Sequence, residues 1–286
     1  MINNFKIYSL RLFARILNFL KEKFCFNSDK LWKIIYLLLP RKNNYIFNIH
    51  GHKFIKVKKD HQQLLYLTGK SGFINSDFIS SIKKPFVFID IGANHGVHCL
   101  DALRNSYLLA CHAIEPNPSS FKILKENLSF AYFKQVYLHN LAIHSSKKEI
   151  DLTIHPWHSG LSNLLGRGGT SSVKVKSSNH ILFDEIFKLH GPISYVIKCD
   201  TEGLETIVIK CLLESKIIEY IETLLIEISP QWLNEESRLN LPYMISALGF
   251  KSMQLREVFE KNLQKDIIFT KPLNHQFFYD QRNFKL

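Results

Sequence analysis

The residues Phe86-Val-Phe-Ile-Asp-Ile-Gly-Ala-Asn-His-Gly96 constrain the fold of this chain more than any other stretch. An apolar run broken only by Asp90 reads as a strand buried on both faces. Gly92 and Gly96 then allow backbone angles, and a closeness of approach, that a Cβ would block. The spacing predicts a helix from Val97 to Ser106, whose first free N–H groups face the turn. A second apolar strand, Leu108 to Ile114, follows and closes on Glu115. Strand, glycine turn, helix and strand in that order open a doubly wound parallel sheet, in which ligands bind outside the carboxyl ends of the strands. Asp90 and Glu115 therefore flank one crevice, and an acid at the end of the second strand takes ribose hydroxyls.

The glycine spacing also excludes a ligand class. A dinucleotide fingerprint is G-x-G-x-x-G, which lets the backbone touch a pyrophosphate, whereas this turn is G-x-x-x-G with Asn94 at the middle-glycine place. An Asp at the strand end repels phosphate and suits a cationic or hydroxyl-bearing ligand. S-adenosylmethionine offers an ammonium, a sulfonium and a ribose diol.

Further along, Pro116 and Pro118 open a helix through Phe121, Leu124 and Leu128, and Gln135 to Asn140 reads as the third strand. Short strands at Ile150 to Ile154 and Val173 to Val175 surround a Gly/Ser-rich segment, Ser159 to Thr170. That segment is expected to be mobile and to form part of an acceptor lid. The fourth core strand, Tyr195 to Cys199, delivers Asp200 and Glu202 to the same edge as Asp90 and Glu115, and the fifth, Thr223 to Ile228, brings Glu227 beside them. At the tail, Leu241 to Leu248 reads as a helix, Gly249 to Leu255 as a strand, and Asp266 to Thr270 as its antiparallel partner.

Several blocks together resemble the FkbM family of S-adenosylmethionine-dependent methyltransferases: Asp90 to Gly96, Ala113-Ile-Glu-Pro-Asn-Pro118 leading to Phe121 through Asn127, Asn140-Leu-Ala142, Leu161-Ser162, and Ile197-Lys-Cys-Asp-Thr-Glu-Gly-Leu-Glu205. The family's last block more usually reads Lys-Ile-Asp-Val-Glu-Gly-Ala-Glu, so Cys199, Thr201 and Leu204 depart from it, while Lys198, Asp200, Glu202, Gly203 and Glu205 match. The resemblance covers roughly residues 85 to 272. It implies a Rossmann-like class I methyltransferase: a seven-stranded, mostly parallel sheet of order 3-2-1-4-5-7-6 with helices on both faces, here behind an N-terminal helical extension. It also implies methyl transfer, usually to a hydroxyl of a sugar or small natural product, and places Asn140 and Leu141 against adenine.

The candidate cofactor-binding residues are therefore Asp90, Gly92, Ala93, Asn94 and Gly96 at the first turn, Glu115 and Pro116 at the second strand end, and Asn140 and Ala142 at the third. The candidate catalytic residues are Asp200, Glu202, Lys198 and His158. A carboxylate crowded by another has a raised pKa and is a workable base, with Lys198 anchoring substrate or steadying an acid. His158 is a candidate base because histidine titrates near working pH. Three acids at adjacent strand ends also suit a divalent ion; the sequence does not choose between a base and a metal clamp, and metal-free action is the expectation.

A net charge of +12 asks for a partner. From Phe5 to Phe24 the apolar residues Phe5, Leu12, Phe13, Ile16, Leu17, Leu20 and Phe24 share one helical face, opposite Arg11, Arg15, Asn18 and Glu22. Two readings stay open: peripheral contact with an anionic membrane surface, or packing on the catalytic domain or on the partner in a homodimer. The run Ile34 to Leu39 is too short to span a bilayer, and charges interrupt any export signal. Five scattered cysteines without a C-x-x-C pair suggest a reducing compartment. The expectation is a cytoplasmic enzyme, peripheral on the inner face of the membrane, with residues 1–60 as a basic amphipathic extension and 61–286 as the methyltransferase domain. Nucleic acid is disfavoured, since no recognised RNA-binding module is present. An O-methyltransferase of a saccharide or lipid-linked glycan leads; an RNA methyltransferase and a non-catalytic binding module of the same fold are the alternatives.

Overall fold

The computed structural model describes residues 46–49, 52–55, 57, 60–68, 73–129, 135–146, 148–262 and 264–271. The expected helix from Phe5 to Phe24 and the run Ile34 to Leu39 lie outside the described residues. In chain order, a hairpin of β1 (Ile46–Ile49) and β2 (His52–Ile55) precedes α1 (His61–Thr68) and α2 (Phe73–Ser81). Then come β3 (Phe86–Ile91), α3 (Val97–Arg104), β4 (Leu108–Ile114), α4 (Pro118–Leu128) and β5 (Gln135–His139). Three strands follow, β6 (Ala142–Ile143), β7 (Glu149–Ile154) and β8 (Ser171–Ser178). The last part alternates α5 (His180–His190), β9 (Ser194–Cys199), α6 (Glu205–Leu213), β10 (Ile221–Ile228), α7 (Glu235–Ala247), α8 (Met253–Lys261) and β11 (Lys265–Thr270).

The main sheet runs β11-β10-β9-β3-β4-β5. All neighbours are parallel except β10 and β11. The chain winds outward from β3 to β5 and then returns to run from β9 to β10, so β3 and β9 are neighbours whose connections leave in opposite directions. That is the switch point at which an open α/β sheet forms a crevice.

The two-residue period of β3 sorts the core. Val87, Ile89 and Ile91 pack with α5, α6, α7 and α8 on one face, through Phe183, Val208, Leu241 and Leu255. Phe86 and Phe88 pack on the other with α2, α3 and α4, through Ile79, Leu100 and Leu124. Because both faces are covered, the strand reads as a continuous apolar run instead of alternating. Phe54 of β2 is buried in the second cluster, Asn127 Oδ1 accepts from Ile55 N at 2.8 Å, and Gln63 Nε2 donates to Ile55 O at 2.7 Å. The packed body therefore takes in β2, ahead of the expected boundary at residue 60.

The order 3-2-1-4-5-7-6 needs correction. The first five strands take the expected places and β11 stands as the seventh, but the expected sixth is not a strand. The stretch Gly249 to Leu255 is a bend that enters α8. Leu255 and Val258 are buried and Phe259 packs beside them, a three- and four-residue spacing that belongs to a helix. The outer face carries Arg256–Glu260 and Lys261–Glu257 pairs at 2.8 and 2.7 Å, each four residues apart. The strands expected at Ile150 to Ile154 and Val173 to Val175 are longer and form a separate three-stranded sheet of order β6-β8-β7 around Leu152 and Val175. No helix among the described residues is long and apolar enough to cross a membrane.

Candidate active site

A cleft of about 230 Å³ opens at the carboxyl edge of β3, β4, β9 and β10, and the β7–β8 connection covers it. Its floor is Gly92, at φ +82°, where a Cβ would lie 1.8 Å from Asp200 O. Only glycine lets β3 and β9 leave the sheet this close together. Asn94, at φ +50°, aims its backbone N–H at Glu115 Oε2, 2.8 Å away, while Asn117 N donates to Glu115 Oε1 at 2.8 Å. Burial raises the Glu115 pKa to about 7, against the lowering effect of the Asn117 and Asn94 hydrogen bonds. Leu141, Ala142 and Ile143 form an apolar wall beside it.

The opposite end is acidic. Lys198 pairs in register with Asp90 across the β3–β9 ladder, and its Nζ sits 3.5 Å from Asp90 Oδ1 and 3.2 Å from Asp200 Oδ2. Burial alone would lower the Lys198 pKa, but Asp200 and Asp90 hold it well above the ordinary value. Burial raises Asp90, with Lys198 and Cys99 opposing. The ammonium is the firmer charge of the pair, because two carboxylates share it. Next to Asp200, the chain turns sharply through two left-handed residues, Glu202 at φ +52° and Gly203 at φ +100°. A Cβ on Gly203 would meet Leu165 Cδ1 at 2.7 Å and Trp232 Cβ at 2.9 Å. Glu205, buried beneath, ties the turn by accepting from Thr201 Oγ1 at 3.1 Å and Gly203 N at 3.0 Å.

This turn brings Glu202 into the cleft beside Asp200 and Glu227, with one carboxylate oxygen from each within 4.8 Å of the others. Like charges that close repel by roughly 3 kcal/mol per pair at an effective dielectric of about 20. Burial first, and then Asp200 and Glu227, push Glu202 up to about 9. Burial and Asp200 push Glu227 up to about 8.

Several sequence-predicted residues stand elsewhere than expected. Gly92, Asn94, Glu115, Pro116, Ala142, His158, Asp200 and Glu202 border the cleft. Asp90 does not: it is buried beneath the turn, where Cys99 Sγ donates to its Oδ2 at 3.2 Å. Lys198 is buried with it and, like it, does not border the cleft. Ala93 and Gly96 shape the turn from behind; a Cβ on Gly96 would meet Leu124 Cδ1 at 2.6 Å. Asn140 is spent on the strand exits, its Nδ2 donating to Glu115 O at 2.9 Å and Pro116 O at 3.2 Å. Leu141, next to it, borders the cleft. His158 does not titrate near working pH as expected, because burial and then His61, whose ring is 5.0 Å away, push it down to about 4. It is a weak base. Ser162 borders the cleft and its Oγ accepts from His155 N at 3.3 Å.

Sequence reasoning missed the contribution of α1. Gln62, Leu65 and Tyr66 border the cleft, and Asp60 at the start of α1 binds the covering segment. Its Oδ1 accepts from Ser159 N at 3.1 Å and its Oδ2 from Ser159 Oγ at 2.7 Å. Ser159 Oγ also meets the Asn94 amide at 3.0 Å. Asp60 accepting from Gln62 N at 3.0 Å is a helix-start signal legible in the sequence, but its partner 99 residues away is not. The glycine-rich segment is further tied by buried Asn163, whose Oδ1 accepts from Leu165 N and Arg167 N at 3.0 and 3.2 Å.

A parallel sheet with its crevice at the switch point, Glu115 at the second strand end and apolar walls between two acidic groups defines a Rossmann-like α/β domain. Residues 90–258 match the methyltransferase FkbM domain, and the chain belongs to that family. No curated protein matches the chain. Among solved structures, it is similar to an FkbM methyltransferase from Methylobacillus flagellatus at 14% identity and TM-score 0.41, covering 72% of this chain and 52% of that one. The aligned part thus spans about half of that protein's length. A precorrin-6y C5,15-methyltransferase from Geobacter metallireducens is similar at 12% identity and TM-score 0.35, covering 62% of this chain and 69% of the other. A protein of the NADB-Rossmann superfamily from Streptococcus agalactiae is similar at 10% identity and TM-score 0.39, covering 72% of each chain. The family assignment rests on the sequence match.

Proposed function

We propose that the protein transfers a methyl group from S-adenosyl-L-methionine to a hydroxyl of a saccharide, a lipid-linked glycan or a related small metabolite. The two-ended cleft carries this reading. At one end Glu115 is a buried acceptor for the two hydroxyls of a ribose, with Leu141, Ala142 and Ile143 as walls for a base. At the other, Asp200, Glu202 and Glu227 suit an acceptor hydroxyl. None of the described residues bordering the cleft is Lys or Arg, so the donor set fits a cationic ligand and does not fit a pyrophosphate or a nucleic-acid backbone. That observation favours a small acceptor over RNA.

When bound, the cofactor supplies an electrophilic methyl group. The remaining work belongs to this chain. Glu115 and the Gly92 floor orient the nucleoside end. The segment from Ser159 to Leu164 excludes water, and the acids hold the acceptor oxygen in line. As that oxygen takes the methyl group it loses its proton to an ionised carboxylate of the acidic group, whose raised basicity suits the task. Lys198 is a positioning residue that keeps Asp200 in place.

Mass spectrometry of cell-envelope saccharides from cells with and without the gene tests the reading. One methyl mass missing from a glycan in the deleted strain is expected. An unchanged glycan profile, together with no binding of S-adenosylmethionine by calorimetry, overturns it.

A further inference from the structure

We propose that Asp200, Glu202 and Glu227 form a binding site for one hard divalent cation, of the Mg2+ or Mn2+ class, at the acceptor end of the cleft. The three carboxylates come from separate places, the end of β9, the left-handed turn after it and the penultimate position of β10, and converge to within 4.8 Å. Oxygens on opposite sides of a cation bound at about 2.0–2.6 Å are separated by about 4 to 5 Å, so this set encloses an ion of that size. Among the described residues no histidine or cysteine joins the group, and an all-oxygen set selects a hard cation over zinc or copper.

The second observation is Glu202 itself. The residue is only 8% exposed, borders the cleft, and its Oε2 has no hydrogen-bond partner. The neighbouring acids each have a partner, although Asp90 Oδ1 and Glu205 Oε2 also lack a hydrogen bond and neither residue borders the cleft. Asp200 and Asp90 share Lys198, Glu205 ties its own turn, and Asp266 accepts from Asn75 at 3.1 Å. Glu227 accepts from Gln264 and, at 3.4 Å, from Ser229. Lys198 is paired with the group through Asp200 and is shared with Asp90. A cation between the three carboxylates relieves their repulsion, satisfies the orphaned oxygen and keeps open positions toward the cleft for an acceptor oxygen. That last role rests on the methyltransfer reading above; the binding site does not.

Titration of the full chain with Mn2+, followed by the electron paramagnetic resonance signal of the free ion, tests the proposal. One Mn2+ per chain is expected, displaced by excess Mg2+, with affinity falling at least tenfold in Glu202→Gln and in Glu227→Gln. Calorimetry with S-adenosylmethionine in metal-free buffer should show both variants folded and binding the cofactor as wild type does. The cation site is overturned if wild type retains no Mn2+ at millimolar concentration, or if both variants retain it undiminished. It is also overturned if the variants lose cofactor affinity in step with any loss of Mn2+, which would assign the carboxylates to the cofactor's ammonium group. Mn2+ bound by a chain that binds no S-adenosylmethionine would instead remove the methyltransfer reading and leave the cation site standing.

Discussion

At Glu115 burial and hydrogen bonding oppose each other, and the balance sets a pH response. Its pKa is raised from an ordinary value of 4.5 to about 7. The stability this contributes is therefore present below about pH 4.5 and lost as pH rises through about 7. Cofactor affinity runs the other way, because the ionised carboxylate is the better acceptor for two hydroxyls. Calorimetry from pH 6 to 8 should show affinity for S-adenosylmethionine rising in wild type. Glu115→Gln should be flat with pH and weaker by roughly 1.5 to 3 kcal/mol, the size of a lost charge-assisted hydrogen bond. Equal affinities would take Glu115 out of the site. Gly203 makes a different demand. Its φ is +100°, and Leu165 and Trp232 stand less than 3 Å from the place a Cβ would take. Gly203→Ala should therefore cost about 2 to 5 kcal/mol, from the left-handed backbone and overpacking together. Urea denaturation measures it; a loss under about 1 kcal/mol would show that the turn tolerates a side chain.

The helix α8 shows how a local pattern can mislead. Gly249 to Leu255 has β-compatible residues at its start, Phe250 among them, yet only the following Val258 and Phe259 disclose the helical spacing. A window that stops at Leu255 holds only Phe250, Met253 and Leu255, too few to fix a period. In a helix Leu255 is buried against the sheet, so Leu255→Ala should lower stability by about 2 to 5 kcal/mol in urea denaturation. An effect below about 1 kcal/mol would fit a residue at an exposed edge. The first strand-turn-helix unit and the second acidic strand were legible because each is coded over a dozen contiguous residues, and β4 falls at Leu108–Ile114 as read from its apolar run. That the segment starting at Ser159 lies over the cleft was legible in its glycines, but its tie to α1 was not, because Asp60 and Ser159 are joined only by folding.

Taken as a whole, the molecule is one packed body from β2 to β11 in which a mostly parallel sheet presents its carboxyl edge to ligand. The basic segment ahead of β1 is the part with a separate task under the membrane reading. Removing residues 1–44, which leaves the β1–β2 hairpin in place, should abolish sedimentation with phosphatidylserine vesicles at low salt and spare cofactor affinity. Sedimentation that persists would assign the contact to the folded domain, and loss of cofactor binding would show that the segment packs on it. Hydrophobic period, glycine placement and acids at strand ends are local properties, so the chain alone announced a doubly wound sheet, the tight turn at Gly92 and the acids at the strand ends. Which acids meet is a property of distance in space. Folding buried Asp90 against Lys198, turned Asn140 onto its own strand exits, lowered His158 beside His61 and closed Asp200, Glu202 and Glu227 around one point. Burial and long-range contact set the charge and reach of those groups, and neither is written in the spacing of residues along the chain.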